Sequence, residues 1–226
     1  MVASDTQKSR VRDFFSKYTP LSYKKGEMIL RAEDPPYGVY YIENGVVRQY
    51  AMNGSGETLI LQLYRTGAFF PMTWVVNDTP NRYFFEAATS VSIRRAPKED
   101  VRRFLDGHPE VLRDFTKRLL AGVSGLWSRV GELVLESAYT KTILLLLYYA
   151  SKFGVKGRRG MTLDLLLTHR EIAAWIGTTR ETASLQVEAL KKKKLLKTHG
   201  RQLIIPSLPA LEKELASVRT GHQHPS

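Results

Sequence analysis

The 226-residue chain contains no cysteine. That excludes disulfides, thiolate-bound zinc, cysteine-ligated iron–sulfur clusters and thiol catalysis, and it suits a reducing cytosol. Histidine is scarce, and His108 is the only one before residue 169. This argues against haem held through histidine and against a β-barrel metal enzyme, whose site needs clustered His and carboxylate ligands. The expectation is a non-enzyme with no metal site and no cofactor. Long apolar runs are also missing. Residues 143–150 form the most apolar stretch, too short to span a bilayer and better suited to a buried helix. The opening MVASDTQKSRVRDFF is polar and lacks the apolar centre of a signal peptide. A cytoplasmic protein with no membrane partner is expected.

What is present is a globular composition, 43% apolar and 25% charged, with length for one large or two small domains. The net charge of +12 is unevenly spread. Residues 1–136 hold 19 Lys/Arg against 16 Asp/Glu, a net +3, whereas residues 137–226 hold 15 against 6, a net +9. Basic charge collects in the C-terminal part, as expected where that part meets a polyanion.

Between residues 21 and 93 the pattern favours short strands. YGVYYIENGVVRQY has β-formers on both sides of Asn44-Gly45, and Asn-Gly is a strong hairpin signal. MNGSGETLILQLY repeats the theme, and Gly67 then precedes the aromatic AFFPMTW. Short strands with glycine turns suggest a small antiparallel barrel or sandwich. Near Pro97 the texture turns helical, and a long helix is predicted to run to residue 136. Along it Leu112, Leu119, Leu126 and Leu133 fall seven apart, with Val123 and Val130 four residues after two of them. That spacing marks a heptad seam, and Leu112, Leu119, Leu126, Val130 and Leu133 are assigned to a two-helix dimer contact. A helix packed only on its own domain is the plainer alternative.

A second domain opens near Ser137. AYTKTILLLLYYASKFG reads as a buried helix, VKGRRG as a basic glycine-rich loop, and residues 161–167 as a short strand. Two helix starts follow. Thr168-His-Arg-Glu171 and Thr178-Thr-Arg-Glu181 both fit the capping box, and Gly177 permits a tight turn between them. The result is a helix–turn–helix. In its second helix Ala183, Val187 and Leu190 form the inward stripe, leaving Arg180, Glu181, Ser184, Leu185 and Glu188 outward. Arginine can bind guanine O6 and N7, and glutamate can accept from cytosine N4; the N-terminal amides favour a phosphate. LLKTHGRQLII predicts a β-hairpin wing with Lys197, His199 and Arg201 near its tip. The lysines at 191–194 read mostly as solvated charge that suits a helix C-terminus. The tail after residue 221 is expected to be disordered.

These residues carry a resemblance. LTHREIAAWIGTTRETASLQVEALKKKKLLKTHGRQLII resembles the winged helix–turn–helix of the CRP/FNR superfamily of transcription regulators, above all in T-x-x-E-I-A-x-x-x-G-x-x-R-E-T. Gly45, Gly56 and Gly67 fall where such β-rolls use turn glycines. The resemblance covers nearly the whole chain and implies an α+β fold. Residues 1–107 would form an antiparallel, jelly-roll-like β-roll sensor, 108–136 a dimerisation helix, and 137–226 the winged module. It implies base reading through Arg180, Glu181 and the position of Leu185, where arginine is usual; leucine there could meet a thymine methyl, and Ser184, outward on the same face, joins the base-reading set. It implies phosphate contacts from Thr168, Arg170, Thr178, Thr179, His199 and Arg201. Double-stranded DNA, a second copy of the chain and RNA polymerase are the implied partners, and a near-palindromic site the implied target.

The sensor departs from the nucleotide-binding pattern. Pro71 and Met72 stand where cyclic-nucleotide-binding members carry Gly-Glu, and Arg82 is the lone cation where an Arg-Ser pair would follow. Response to cAMP is not expected. Tyr64, Phe70, Met72, Trp74, Arg82 and Phe84 are the candidate effector pocket. Such an aromatic set is either β-roll core or the lining for a hydrophobic or aromatic small molecule, and control without an effector is equally open. Two rival readings stand beside the regulator. One is a small-molecule-binding module whose helix–turn–helix contacts protein; the other is a β-barrel enzyme with an appended basic domain.

Overall fold

A computed structural model describes residues 5–165, 167–200 and 202–221. The chain divides into two compact units, residues 1–127 and 128–226.

The first unit opens with α1 (Asp5–Phe15), in a segment that composition marks only as polar. Its apolar residues Val11 and Phe15 are buried. Strands β1 (Pro20–Tyr23), β2 (Met28–Leu30), β3 (Val39–Asn44), β4 (Val46–Met52), β5 (Thr58–Arg65) and β6 (Phe69–Phe70) follow, then α2 (Met72–Asn77), β7 (Phe84–Ala87) and β8 (Val91–Ala96). They form two four-stranded antiparallel sheets, β1-β8-β3-β6 and β2-β7-β4-β5, which make the β-roll. Gly45 alone separates β3 from β4, with φ +96°, and a Cβ there would lie 2.4 Å from the Ser90 carbonyl oxygen. No other residue fits that turn.

The sheet containing β3 is covered on both faces, which explains why Val39, Tyr40, Tyr41 and Ile42 are all buried instead of alternating. Tyr40 and Ile42 point between the sheets, with Val47, Phe85, Ala87 and Ile93. Val39 and Tyr41 point the other way, onto Val11 and Phe15 of α1 and onto the helices that follow the roll. Arg94 ties α1 down by donating to the Ser16 carbonyl (2.9 Å) and to Glu43 (2.6 Å). Helix α3 (Lys98–Gly107) buries Val101 and Leu105, one turn apart, and carries Glu99 and Asp100 in its first turn, where carboxylates favour the dipole. Pro109 then starts α4 (Pro109–Leu135), of which only Val111 is fully buried.

In the second unit Ser137 caps α5 (Ala138–Phe153), its hydroxyl accepting from the Thr140 amide at 3.1 Å. Residues 154–163 correct the sequence reading. The segment expected to be a loop is β9 (Gly154–Gly157), paired antiparallel with β10 (Gly160–Leu163) around Arg158-Arg159. The strand expected over 161–167 ends at Leu163; the next amide, of Asp164, donates in the same register to the Phe153 carbonyl (2.9 Å), where the partner segment is already helix α5. Helices α6 (His169–Ile176) and α7 (Arg180–Lys192) follow, then β11 (Lys197–His199), β12 (Gln202–Ile205) and α8 (Leu208–Gly221). The sheet order is β11-β12-β10-β9. Its register puts Met161 beside Ile205, so the Arg158-Arg159 turn lies at the end of the sheet opposite the turn at Gly200. The tail beyond residue 221 lies outside the described residues.

Candidate nucleic-acid interface

The turn between α6 and α7 is built from its caps. Thr168 and Glu171 form a complete capping box. The Thr168 amide donates to the Glu171 carboxylate (2.8 Å), and the Glu171 amide donates to the Thr168 hydroxyl (3.2 Å). The second box, expected from Thr178 and Glu181, does not form. Gly177 ends α6 in the left-handed region, φ +65°, and both its amide and that of Thr178 donate to the Ala173 carbonyl. Thr178 therefore completes the first helix. Thr179 caps the second, its hydroxyl accepting from the Thr182 amide at 3.2 Å. The shift has a consequence for chemistry: Glu181 is exposed and not held in a cap.

Ala183, Val187 and Leu190 are fully buried under α7. Arg180 and Glu181 are exposed, Ser184 is half-buried, and Leu185 is 69% exposed, a large apolar side chain turned to water. These four lie together on one face, at the N-terminal end of a 13-residue helix where unpaired amides and the positive end of the dipole also lie. Thr168, Arg170 and Thr179 are exposed and Thr178 is half-buried. Glu188 carries its own counter-charge: the Lys191 ammonium donates to it at 2.9 Å and holds its carboxyl below the usual range. Lys193 is likewise committed, donating to Glu214 at 2.6 Å while lying over the Tyr139 ring. The lysine run is therefore partly spent on ion pairs within this unit.

The wing hairpin pairs Lys197 with Ile204 and His199 with Gln202, leaving Lys197 and His199 exposed beside Gly200, whose φ is +60°. Arg201, expected at the same tip, lies outside the described residues.

The candidate effector residues do not gather around one cavity. Tyr64 and Phe70 belong to the interior between the sheets, whereas Met72 and Trp74 pack against the helices on the far side of the β3 sheet. Phe84 stacks on Tyr50 at 5.1 Å, and Arg82 is exposed. The interior between the sheets is filled by rings. Phe70 stacks on Phe85 at 4.6 Å, and Tyr64 leans on both. Burial pushes the Tyr64 phenol up to about 12, and its hydroxyl donates to Gln49 at 3.1 Å.

The seam residues of α4 stand in water. Leu112, Leu119, Leu126 and Val130 are 39%, 53%, 51% and 43% exposed, and Leu133 is half-buried. Sequence reasoning missed Arg129, whose guanidinium is covered by Trp175 of α6. The signal was slight, one cation beside a seam valine. Among the described residues no group of three His, Asp or Glu side chains could hold a metal ion, and no helix is long and apolar enough to cross a membrane.

A β-roll joined by a long helix to a winged helix–turn–helix defines a DNA-binding transcription regulator. Residues 20–108 match the cyclic nucleotide-binding domain family and residues 141–214 the Crp-like helix-turn-helix domain family. The chain belongs to the CRP/FNR superfamily. It is 28% identical to the transcriptional regulator SdrP of Thermus thermophilus, over 88% of this chain and 95% of that one. It is 25% identical to the global nitrogen regulator of a Nostoc species, over 85% and 87%. The crystal structure of a CRP/FNR-family transcriptional regulator, also from Thermus thermophilus, superposes with a TM-score of 0.72 at 27% identity, covering 88% of this chain and 98% of that one.

Proposed function

We propose that the regulator works as a symmetric homodimer, with two α4 helices forming the seam and each copy laying α7 in a major groove of a near-palindromic site. One observation carries this reading: a single copy leaves the apolar stripe of α4 in water. With Val123 and Val130 at one seam position, Leu112, Leu119, Leu126 and Leu133 fall at the other. β-Branched residues paired with leucine in this way favour two parallel strands. A third row, Leu120, Trp127 and Val134, is 65%, 70% and 75% exposed and widens the stripe.

Arg180, Glu181, Ser184 and Leu185 are the base-reading set in this proposal. Thr168, Arg170, Thr178, Thr179 and His199 approach phosphates, which orient the protein without reading sequence. RNA polymerase is the partner through which the bound dimer acts. The sensor is not a cyclic-nucleotide switch. Its interior is closed by the stack of Tyr64, Phe70 and Phe85, and Arg82 faces solvent. The filled interior favours control without an effector over a hydrophobic or aromatic one.

Selection of duplexes from a random pool by the full chain tests the reading. Two inverted half-sites about one helical turn apart are expected, with affinity falling steeply as salt rises. Enrichment of a lone half-site, or of no sequence at all, overturns it.

A further inference from the structure

Near its C-terminal end α4 buries a guanidinium that a dimer seam does not need. The Arg129 Cζ sits 4.1 Å from the centroid of the Trp175 ring, and Nη2 donates to the Trp175 carbonyl at 3.0 Å. Trp175 is the penultimate residue of α6. Its carbonyl lies in the last turn, where helix carbonyls lack intrahelical partners and the dipole is negative. The ring is itself fixed, stacked on Tyr148 at 5.1 Å and edge-on to Tyr149 at 5.6 Å, both on α5. Two residues later Gly177 makes the turn into α7, so the cation holds the helix–turn–helix close to its corner.

This contact bridges the break between α4 and α5. So does a second, between Glu136 and Arg219 of α8 at 2.7 Å, but that pair is 22% and 45% exposed and contributes little. The Arg129 contact is mostly withdrawn from water, where a cation over an aromatic face is strongest. Burial disfavours its charge, while the Glu132 carboxylate favours it. Only a planar guanidinium can cover the ring and reach the carbonyl together; an ammonium is a point charge. Next to it in the chain, Val130 is 43% exposed on the seam stripe. The residue that meets the second copy and the residue that grips the reading unit are neighbours.

We propose that Arg129 is a positioning residue: seated on Trp175, it sets the angle between the end of α4 and the recognition helix α7, and thereby the half-site spacing that the dimer accepts. The proposal rests on the symmetric dimer above. Turning α4 about its axis at the seam would carry α6 and α7 with it.

The test uses the full chain and a ladder of duplexes bearing two inverted half-sites, their separation stepped one base pair at a time, with a single half-site duplex alongside. The wild-type chain should show one sharp optimum. Arg129→Met should keep the dimer mass and the half-site sequence, yet lose about tenfold of the advantage of the best spacing, an effect between those of an exposed and a fully desolvated cation–π contact. Arg129→Lys should lie between the two. A merely structural role would weaken all spacings alike, and an optimum as sharp in Arg129→Met as in wild type overturns the proposal. If Arg129→Met does not fold, Arg129→Lys decides: a flattened optimum supports the proposal and a wild-type optimum overturns it. A wild-type chain with no optimum overturns the dimer reading, and the proposal with it.

Discussion

Phe69 and Phe70 are adjacent in β6 and buried in different cores. Phe69 lies on the helix side of its sheet, stacked at 5.5 Å on Phe115 of α4, while Phe70 lies between the sheets on Phe85. Successive strand residues point to opposite faces, so a run of aromatics in a sheet covered on both sides divides itself between two interiors. One apolar stretch thereby serves two tasks, closing the roll and seating the start of α4.

The caps of the helix–turn–helix give a paired prediction. Thr168→Ala should cost about 1 kcal/mol, because the Glu171 amide loses the hydroxyl that caps it. Thr178→Ala should cost less than about 0.5 kcal/mol, as it removes no capping hydroxyl. Urea unfolding of the two variants measures the difference. Equal losses would mean that Thr178 caps α7 after all.

The proposed dimer gives a prediction at the α4 stripe. Leu126→Glu combined with Leu133→Glu should leave a folded monomer with specific DNA binding abolished, since like charges would face each other across the seam. Sedimentation mass is the readout. An unchanged mass would remove the stripe from the contact.

Base reading is tested at two positions of α7. Arg180→Ala should weaken binding at the selected site by about 1–3 kcal/mol and relax one base position. A uniform loss on all sequences would make Arg180 a phosphate contact.

Leu185→Arg should impose a preference for guanine at one position, with discrimination of about 1–3 kcal/mol. Repeating the selection with the variant shows this directly. An unaltered logo would mean that residue 185 does not reach the base edges.

Acid should loosen the second unit through Glu214. The Lys193 ammonium, and after it the Tyr139 hydroxyl, hold this carboxyl below its ordinary range. A group with a lowered folded value contributes stability above its unfolded pKa and loses it as pH falls through the folded one. The gap in thermal midpoint between wild type and Glu214→Gln should therefore be full at neutral pH and close towards the acid side. A gap independent of pH would rule out the ionised pair as its source.

Much of this protein was legible in the chain itself, wherever the signal is local. The heptad spacing of leucines in α4, Asn44-Gly45 before a strand, and Thr168 three residues ahead of Glu171 are each decided by neighbours a turn or two away. Backbone geometry converts such spacings into a face, a turn or a cap without help from distant residues. The outward set on α7 followed in the same way, because Ala183, Val187 and Leu190 leave only one face free.

Tertiary structure decided what depends on partners far apart in sequence. It split the aromatic residues near position 70 between two cores, since only the second layer over the β3 sheet makes both faces interior. It moved the α7 cap to Thr179, because the Schellman-like closure onto Ala173 uses Thr178 first. It paired β9 with β10, and it set Arg129 on Trp175, 46 residues away. Periodicity registers which side of an element is apolar; which element will cover that side is settled only when the chain closes on itself.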